Sequence, residues 1–389
     1  MICSGSSARR LRHAELLIPC FLLGCHRPAP PVVAVTRTDP GDGRDGAAVH
    51  RDAKPADALP IYGDANPPPR DDADVSSVNA ARHSFTSAGR DFDPDVDPTT
   101  QTLALASTRN SEHPDIFLKS INGSTLMQLT NDEADDIQPR FSPDGSRVAF
   151  ASNRSGNWDI WVVNRDGGQL VQVTRDRADE VSPCWSPDGK QIAFTAWGRQ
   201  SHQWEIWVTS LDDSAVRRFI TPGMFCAWSP DGKRLAFQRS RQRDQRWFTI
   251  WTIDLMGDEA KHPTEIASSD ESACISPRWS PDGRYVVYCA VRRDVRTFGP
   301  TPQSERAELW ATELETGLRY TLTDPSTLAF NPTWAADGRV YFVSARSGAE
   351  NIWSIPAGVG TVARQKPTLN ATPIGEESYA SPESVTESK

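Results

Sequence analysis

The sequence has few of the features that mark an enzyme or a membrane-spanning protein. No apolar stretch reaches the length of about 20 residues that crosses a bilayer as a helix. A glycine-rich phosphate loop and a G-x-S-x-G nucleophile motif are both absent. The formal net charge is −9, and because negative surfaces repel phosphate backbones, we expect no nucleic-acid partner.

Histidine is also scarce, with seven in the chain. The four that fall in the central region occupy unrelated positions, and they are His83, His113, His202 and His262. A metal or acid–base site requires such side chains to converge on one place. The pattern therefore predicts no catalytic residue, no metal site and no cofactor.

The cysteines show no zinc-binding spacing. Four of the seven stand in or just before predicted strands, and they are Cys184, Cys226, Cys274 and Cys289. An exported protein could pair them as disulfides, but a large core does not need such cross-links. We favour buried free thiols and leave the disulfide alternative open.

The N-terminus has the plan of a secretory signal. Three arginines precede a short apolar run that ends Leu-Leu-Gly-Cys at Cys25. This ending resembles the lipobox of bacterial lipoproteins, in which the cysteine is lipidated. We predict a signal peptide over 1–24 and a lipid anchor on Cys25, with a location in the periplasm or cell envelope. An ordinary cleaved signal or a misassigned start codon are the alternatives.

Two segments are too polar to form a core. Residues 25–80 are rich in Pro, Asp, Ala and Arg and nearly free of aromatics, so they cannot bury enough apolar surface to offset the entropy of ordering. We interpret them as a disordered tether. The polar residues 361–389 are interpreted as a flexible tail.

A short hairpin pattern recurs through the remaining chain at intervals of about 45 residues. Four copies are clear: FSPDGSRVAF from Phe141, WSPDGKQIAF from Trp185, WSPDGKRLAF from Trp228 and WSPDGRYVVY from Trp279. Weaker copies at Val96 and Trp334 make six. In the four clear copies Ser-Pro-Asp-Gly predicts a type I turn. An alternating strand follows it, and then a third strand with a pattern such as Asp159-Ile-Trp161.

Four short strands per repeat indicate the blade of a β-propeller. The fold class is therefore all-β, with six four-stranded antiparallel blades over residues 81–360. Upstream of the first copy, Phe85-Thr86 resembles the end of a fourth strand that has no blade of its own. We expect it to complete the sixth blade and so close the ring.

The repeat W/F-S-P-D-G-x-x-I/V/L-A-F followed by D-I-W resembles the WD40-like PD40 repeat of TolB and its relatives. The resemblance covers about residues 85–360 and implies an envelope protein that binds other proteins and performs no chemistry. TolB has a small α/β domain before its propeller, and here the tether takes that place. The same propeller occurs in prolyl-oligopeptidase-like peptidases, but their hydrolase domain and its nucleophile motif are missing from this sequence.

Acidic residues recur five positions before the marker aromatic, at Asp91, Asp136 and Glu180, with Asp135 and Asp179 adjacent. This position enters the innermost strand, so we expect an acidic arc at the channel mouth over repeats one to three. It could receive a basic peptide or a cation. Alternatively, Arg109 and Arg154 could pair with these carboxylates as a structural latch. Arg109, Arg154 and the five acidic residues are the candidate partner-binding residues.

Two insertions extend repeats four and five on the same expected face. They span residues 239–247 and 291–306 and are rich in arginine. Taken together, the sequence predicts a monomeric, non-catalytic scaffold that binds an envelope protein or peptide at the channel face. The alternative is a polysaccharide-binding or lyase-type propeller.

Overall fold

The computed structural model of the protein describes residues 80–212, 216–240, 248–293, 305–324, 327–358 and 364–365. The predicted signal peptide, Cys25 and the tether up to residue 79 lie outside the described residues. So do most of the predicted tail and the parts of the two insertions at 241–247 and 294–304. In the described part of the chain, no helix is long and apolar enough to span a membrane.

The described chain is built from short strands with the β-branched and aromatic composition expected of pleated, half-buried segments. In chain order they are β1 Ala81–Arg82, β2 Asp91–Val96, β3 Thr102–Ser107, β4 Asp115–Ser120, β5 Leu126–Gln128, β6 Asp136–Phe141, β7 Arg147–Ser152, β8 Asp159–Asn164, β9 Val171–Gln172, β10 Glu180–Trp185, β11 Gln191–Gly198, β12 Gln203–Ser210, β13 Arg217–Pro222, β14 Met224–Trp228, β15 Arg234–Ser240, β16 Phe248–Met256, β17 Glu259–Ala267, β18 Ala273–Trp279, β19 Tyr285–Arg293, β20 Glu305–Glu313, β21 Arg319–Thr321, β22 Phe330–Trp334, β23 Arg339–Ser344, β24 Asn351–Pro356 and β25 Arg364–Gln365.

These strands form six antiparallel sheets. Blades one to five take their strands in chain order, with the first strand innermost: β2 to β5, β6 to β9, β10 to β13, β14 to β17 and β18 to β21. Blade six combines β22, β23 and β24 with β1. The inner strands of successive blades contact one another, and β22 contacts β2, so the ring is closed. The predicted six-bladed propeller is confirmed. The short strand β25 adds a fifth strand to blade five.

Closure by an N-terminal strand is confirmed, but the predicted residues were wrong. The strand is β1, whose residues Ala81 and Arg82 pair with Ser354 and Trp353. The side chain of Phe85 is 67% exposed and lies outside the strand. The connection from this strand into blade one is longer than its counterparts, so counting back from the first repeat placed the strand too late.

Each blade buries a large side chain from the middle of its second strand. The equivalent residues are Leu105, Phe150, Phe194, Phe237, Tyr288 and Phe342, and all are at most 1% exposed. Truncating one buried aromatic to alanine costs about 3–5 kcal/mol. Between blades, the indole Nε1 of Trp185 donates to the carbonyl of Arg140 at 3.0 Å, and that of Trp279 donates to Ala227 at 2.9 Å. These two marker tryptophans therefore join neighbouring blades, whereas the indole of Trp228 donates to Gly232 in its own blade at 3.0 Å.

The Ser-Pro-Asp-Gly segments form the predicted tight turns at one end of the ring. In the first, the amide of Gly145 donates to the carbonyl of Ser142 at 2.8 Å, and Gly145 has a φ of 69°. The Asp144 carboxylate accepts the hydroxyl of Ser142 at 2.5 Å. Glycine is favoured at a positive φ of this size because it has no Cβ.

The innermost strand of every blade is interrupted by a β-bulge. One residue in each has a positive φ, and the six are Asp93, Gln138, Ser182, Phe225, Ser276 and Asn331. The pairing register with the second strand shifts at these points. Bulges re-aim the side chains around them. The residues at and just after the bulges line the central channel.

Candidate functional site: the channel and its mouth

The end of the channel opposite the Ser-Pro-Asp-Gly turns is built from equivalent positions. At the entry to an innermost strand, one amide donates to a carbonyl near the start of the third strand of the neighbouring blade, which lies just before that strand or, for Ala307, within it. The donor–acceptor pairs are Asp91 to Glu350 at 3.0 Å, Asp136 to Pro114 at 2.7 Å, Glu180 to Trp158 at 2.8 Å and Ala329 to Ala307 at 3.0 Å. The three predicted carboxylates and Ala329 therefore hold the same place in four blades.

In blade one the carboxylate of Asp91 is buried against Arg109. The Arg109 Nη2 donates to both Asp91 oxygens, at 2.7 and 2.8 Å. The hydroxyl of Ser107 donates to Asp91 at 2.6 Å and accepts Nε of Arg109 at 3.0 Å. This compact network is a charge-assisted ion pair in which the hydroxyl of Ser107 binds both partners.

Blade two repeats the network. The Arg154 Nη2 donates to the two oxygens of Asp136 at 2.8 and 2.6 Å, and its Nε donates to Ser152 at 2.8 Å. Arg154 also reaches Asp132 at 2.9 Å. Burial raises the pKa of Asp136, and its bonds to Arg154 oppose that rise. The ion pairs of the latch interpretation are thus present in the structure.

Blade three uses an arginine that the sequence analysis missed. Glu180 pairs with Arg217, on the fourth strand, at 2.5 Å, and Arg217 also contacts Asp176 at 2.5 Å. Blade three has no Ser-x-Arg motif after its second strand, so a different element supplies the cation. Asp176 precedes Glu180 by the interval that separates Asp132 from Asp136. This repeated pair of acidic residues was the feature of the sequence that indicated a basic side chain bound to both of them.

In blades two and three, solvent-facing acidity comes from the loops before β6 and β10, and the loops before β18 and β22 also carry exposed acidic residues, Asp270, Glu271 and Asp324. The side chains of Asp91, Asp136 and Glu180 have no exposed area. The exposed or half-buried carboxylates of the loops before β6 and β10 are Asp132, Glu133, Asp135, Asp176 and Asp179. Partner binding by Asp135 and Asp179 stays a prediction.

Inside the channel two arginines extend from opposite blades. Arg140 of blade two and Arg278 of blade five each donate to the carbonyl of the preceding proline, at 2.5 and 3.1 Å. Burial, and then the charge of Arg140, lowers the pKa of Arg278 to about 10. Burial raises the pKa of Asp93 and of Asp95. The channel is therefore polar and contains both arginine and aspartate side chains.

Four cysteines in the described chain are free thiols, as favoured from the sequence. Cys184 packs against an apolar cluster formed by blades three and four. Its Sγ accepts the amide of Trp228 at 2.9 Å. A hydrogen bond from Cys226 is the main cause of the lowered pKa of Cys184.

The histidines of the described residues have separate surroundings. His83 is buried and bonds Ser354 at 2.7 Å, whereas exposed His113 pairs with Asp135 at 2.7 Å, which raises the pKa of His113. Within the described part of the chain, no group of three or more His, Cys, Asp or Glu side chains could hold a metal ion.

Comparisons with protein families agree with this architecture. The model of the tricorn protease N-terminal β-propeller domain matches residues 157–372, more than half of the chain. The chain belongs to this family of β-propellers. The model of the TolB β-propeller domain matches residues 74–179 and contains the PD40 repeat. The TolB-like resemblance found in the sequence is therefore confirmed.

Individual relatives of this TolB-like propeller are distant. A solved structure assigned as TolB from Agrobacterium tumefaciens is 22% identical with a TM-score of 0.53, over 70% of this chain and 91% of that one. TolB from Acinetobacter baumannii is 19% identical with a TM-score of 0.49, over 69% and 64%. Uncharacterized protein Atu1656 of Agrobacterium fabrum is 29% identical over 87 residues, 22% of this chain and 26% of the relative. The match thus spans about a quarter of that relative's length, and the structural likeness shows the fold alone.

Proposed function

We propose that this TolB-like propeller is a non-catalytic binding protein of a bacterial cell envelope. It acts as a monomer, attached to a membrane through a lipid on Cys25 and the tether that follows. Its partner is a protein or peptide that docks a basic segment on the acidic side of the channel mouth. The sequence Leu-Leu-Gly-Cys at 22–25 supports the anchor.

The observation that carries this proposal is the rigid support beneath the exposed carboxylates. Arg154 bonds Asp136 in the innermost strand and Asp132 in the loop at the same time. Arg217 likewise bridges Glu180 and Asp176. Each bridge connects a buried strand to a solvent-facing loop and so limits the movement of that loop. A preorganised charged surface binds with less loss of entropy than a mobile one.

The charge of this surface determines which partner it suits. The loops before β6 and β10 carry five exposed or half-buried carboxylates, including Asp135 and Asp179, against two exposed arginines, Arg175 and Arg177. Such a patch attracts a positively charged segment and increases its rate of encounter. Because charge contributes to this binding, we expect binding to weaken as the salt concentration rises.

Crosslinking capture from intact cells tests the proposal. We expect the double variant Asp135→Lys with Asp179→Lys to lose the captured partner. A matched control places Asp258→Lys and Glu315→Lys in turns at the other end of the ring, where both side chains are exposed. The control should retain the partner. Equal capture by the wild type and the mouth variant would exclude the acidic loops as the docking surface.

The same cells test the anchor and the alternative function. Substitution of Cys25 by Ser should move the protein from the membrane fraction to the soluble fraction. Purified protein incubated with an acidic polysaccharide should leave its chain length unchanged. Cleavage of that polysaccharide would replace the binding proposal with the lyase-type alternative.

A further inference from the structure

Blade six carries the same arginine motif as blades one and two. In all three blades a serine ends the second strand, and the amide of the arginine two residues later donates to its hydroxyl. The pairs are Arg109 to Ser107 at 3.2 Å, Arg154 to Ser152 at 3.3 Å and Arg346 to Ser344 at 3.4 Å. The three arginines therefore start from the same backbone position.

The guanidinium groups have different partners. Those of Arg109 and Arg154 each bind a carboxylate and a serine hydroxyl. In contrast, Nε and Nη2 of Arg346 are buried and have no hydrogen-bond partner among the residues that the structure describes. The group lies over the ring of Trp353 at 4.6 Å, so it is held by stacking.

The missing partner is explained by one substitution. Ala329 occupies the place of Asp91 and Asp136, as its backbone hydrogen bond shows, and it is 0% exposed. The hydroxyl of Ser344 donates instead to the carbonyl of Thr327 at 2.7 Å. The hydroxyl of Thr327 is itself buried and finds no partner in the described part of the chain.

Three donors beside one motif are thus unsatisfied: Nε and Nη2 of Arg346 and the hydroxyl of Thr327. Burial lowers the pKa of Arg346, and no neighbouring carboxylate opposes this effect. Buried donors without acceptors are costly and therefore uncommon in folded proteins. In the other blades Asp91 and Asp136 accept from Nη2 of the arginine, and a serine hydroxyl accepts from Nε. A carboxylate supplied from outside would take the place of Asp91 and Asp136 at Nη2, and its oxygens could also accept from the remaining donors.

We propose that Arg346 and Thr327 form a carboxylate-binding site at the channel mouth, and that its ligand is a carboxylate of the docked peptide. The identity of that natural ligand depends on the function proposed above. Blade six lies opposite blade three in the ring. A partner would therefore place its basic residues over blades two and three and its acidic group on blade six.

Small carboxylates test the site on the purified full chain, independently of any protein partner. Sodium acetate is exchanged for sodium chloride at constant ionic strength, while melting temperature and the NMR signal of the Arg346 Nε–H are followed. We expect acetate to raise the melting temperature and to shift that signal. Arg346→Gln should weaken acetate binding about tenfold or more, the effect of losing a charge-assisted hydrogen bond.

Ala329→Asp is the complementary variant because it restores the carboxylate of blades one and two. It should melt at a higher temperature than the wild type and no longer respond to acetate. If this variant does not fold, Arg346→Gln alone decides the result. An equal acetate response in wild type and Arg346→Gln, or no response in the wild type, would overturn the site.

The source of the carboxylate is distinguished with two further probes. An N-acetylated, C-terminally amidated peptide with one Glu tests a side-chain carboxylate, and the same peptide with Gln is its control. N-acetylglycine tests a chain terminus. Carboxylate binding together with unchanged capture by the Asp135/Asp179 variant would retain this site and reject the acidic docking surface. Loss of capture without carboxylate binding would do the reverse.

Discussion

The amide of Ile352 donates to the hydroxyl of Ser84 at 2.9 Å, and this bond connects residues 268 positions apart in the chain. Thr130 and Ile116 form the same bond within blade one, at 2.9 Å, as do Thr174 and Ile160 in blade two, at 2.8 Å. Ser84 therefore provides blade six with the hydrogen bond that Thr130 and Thr174 provide in blades one and two. In those blades the hydroxyl comes from the segment that directly follows the blade's own strands.

The first prediction concerns this closure. The Asn351 Oδ1 accepts the amide of Thr86 at 2.9 Å and the hydroxyl of Ser84 at 3.2 Å, and Asn351 is fully buried. We expect Asn351→Ala to destabilise the protein by about 1–3 kcal/mol, because it leaves buried donors unsatisfied. Urea unfolding measures the change.

Phe85→Ala is the matched control, since its ring is 67% exposed and lies next to the same segment. Its effect should stay within about 0.5 kcal/mol. A larger loss from Phe85→Ala than from Asn351→Ala would mean that the ring is closed by other contacts.

The second prediction concerns the buried pair Asp136 and Arg154. Arg154→Gln leaves the buried carboxylate of Asp136 without its cation and should cost about 3–5 kcal/mol. Asp136→Asn should cost less, because Arg154 still bonds Asp132 at 2.9 Å. The double variant should cost less than the sum of the two. A double-mutant cycle by chemical unfolding measures the coupling, which we expect at about 1–3 kcal/mol.

The exposed pair Glu259 and Lys261 is the comparison for this cycle. Because solvent screens it, its coupling should lie within experimental error. Additive effects at Asp136 and Arg154 would show that the latch contributes no interaction energy.

The third prediction concerns pH. Burial raises the pKa of Glu180 from 4.5 to about 7, which outweighs the opposing charge of Arg217. One oxygen of Glu180 and one of Asp159 are buried without a donor, and a shared proton between these carboxyl groups would satisfy both. Glu180 therefore retains its proton in the folded state at pH values where the unfolded chain releases it.

The direction in which stability changes with pH follows from proton binding. Between about pH 4.5 and 7 the folded state binds more protons at this site, so stability decreases as pH rises across that window. The decrease attributable to Glu180 is at most about 3 kcal/mol. Glu180→Gln should flatten the stability profile over this range, measured by urea unfolding at several pH values. An unchanged profile would contradict the raised pKa.

Several features of the site were predictable because they repeat. The arginines 109 and 154 stand at a constant distance from their carboxylates in the sequence, so their pairing could be proposed without coordinates. Arg217 could not be found in this way, because it approaches Glu180 from a fourth strand whose register depends on the packing of the whole blade. The closing strand was misplaced for a similar reason: its pairing with β24 is set by contacts between the two ends of the domain.

The sequence by itself determined the number of blades, the turns and the alternation of each strand, since these depend on residues close together in the chain. Only the tertiary structure decided which charges are compensated. Asp91 and Asp136 meet an arginine in their own blades, whereas Arg346 faces Ala329 and is left without a carboxylate. The compensation of a buried charge depends on groups brought together by folding, and adjacency in the sequence does not specify them.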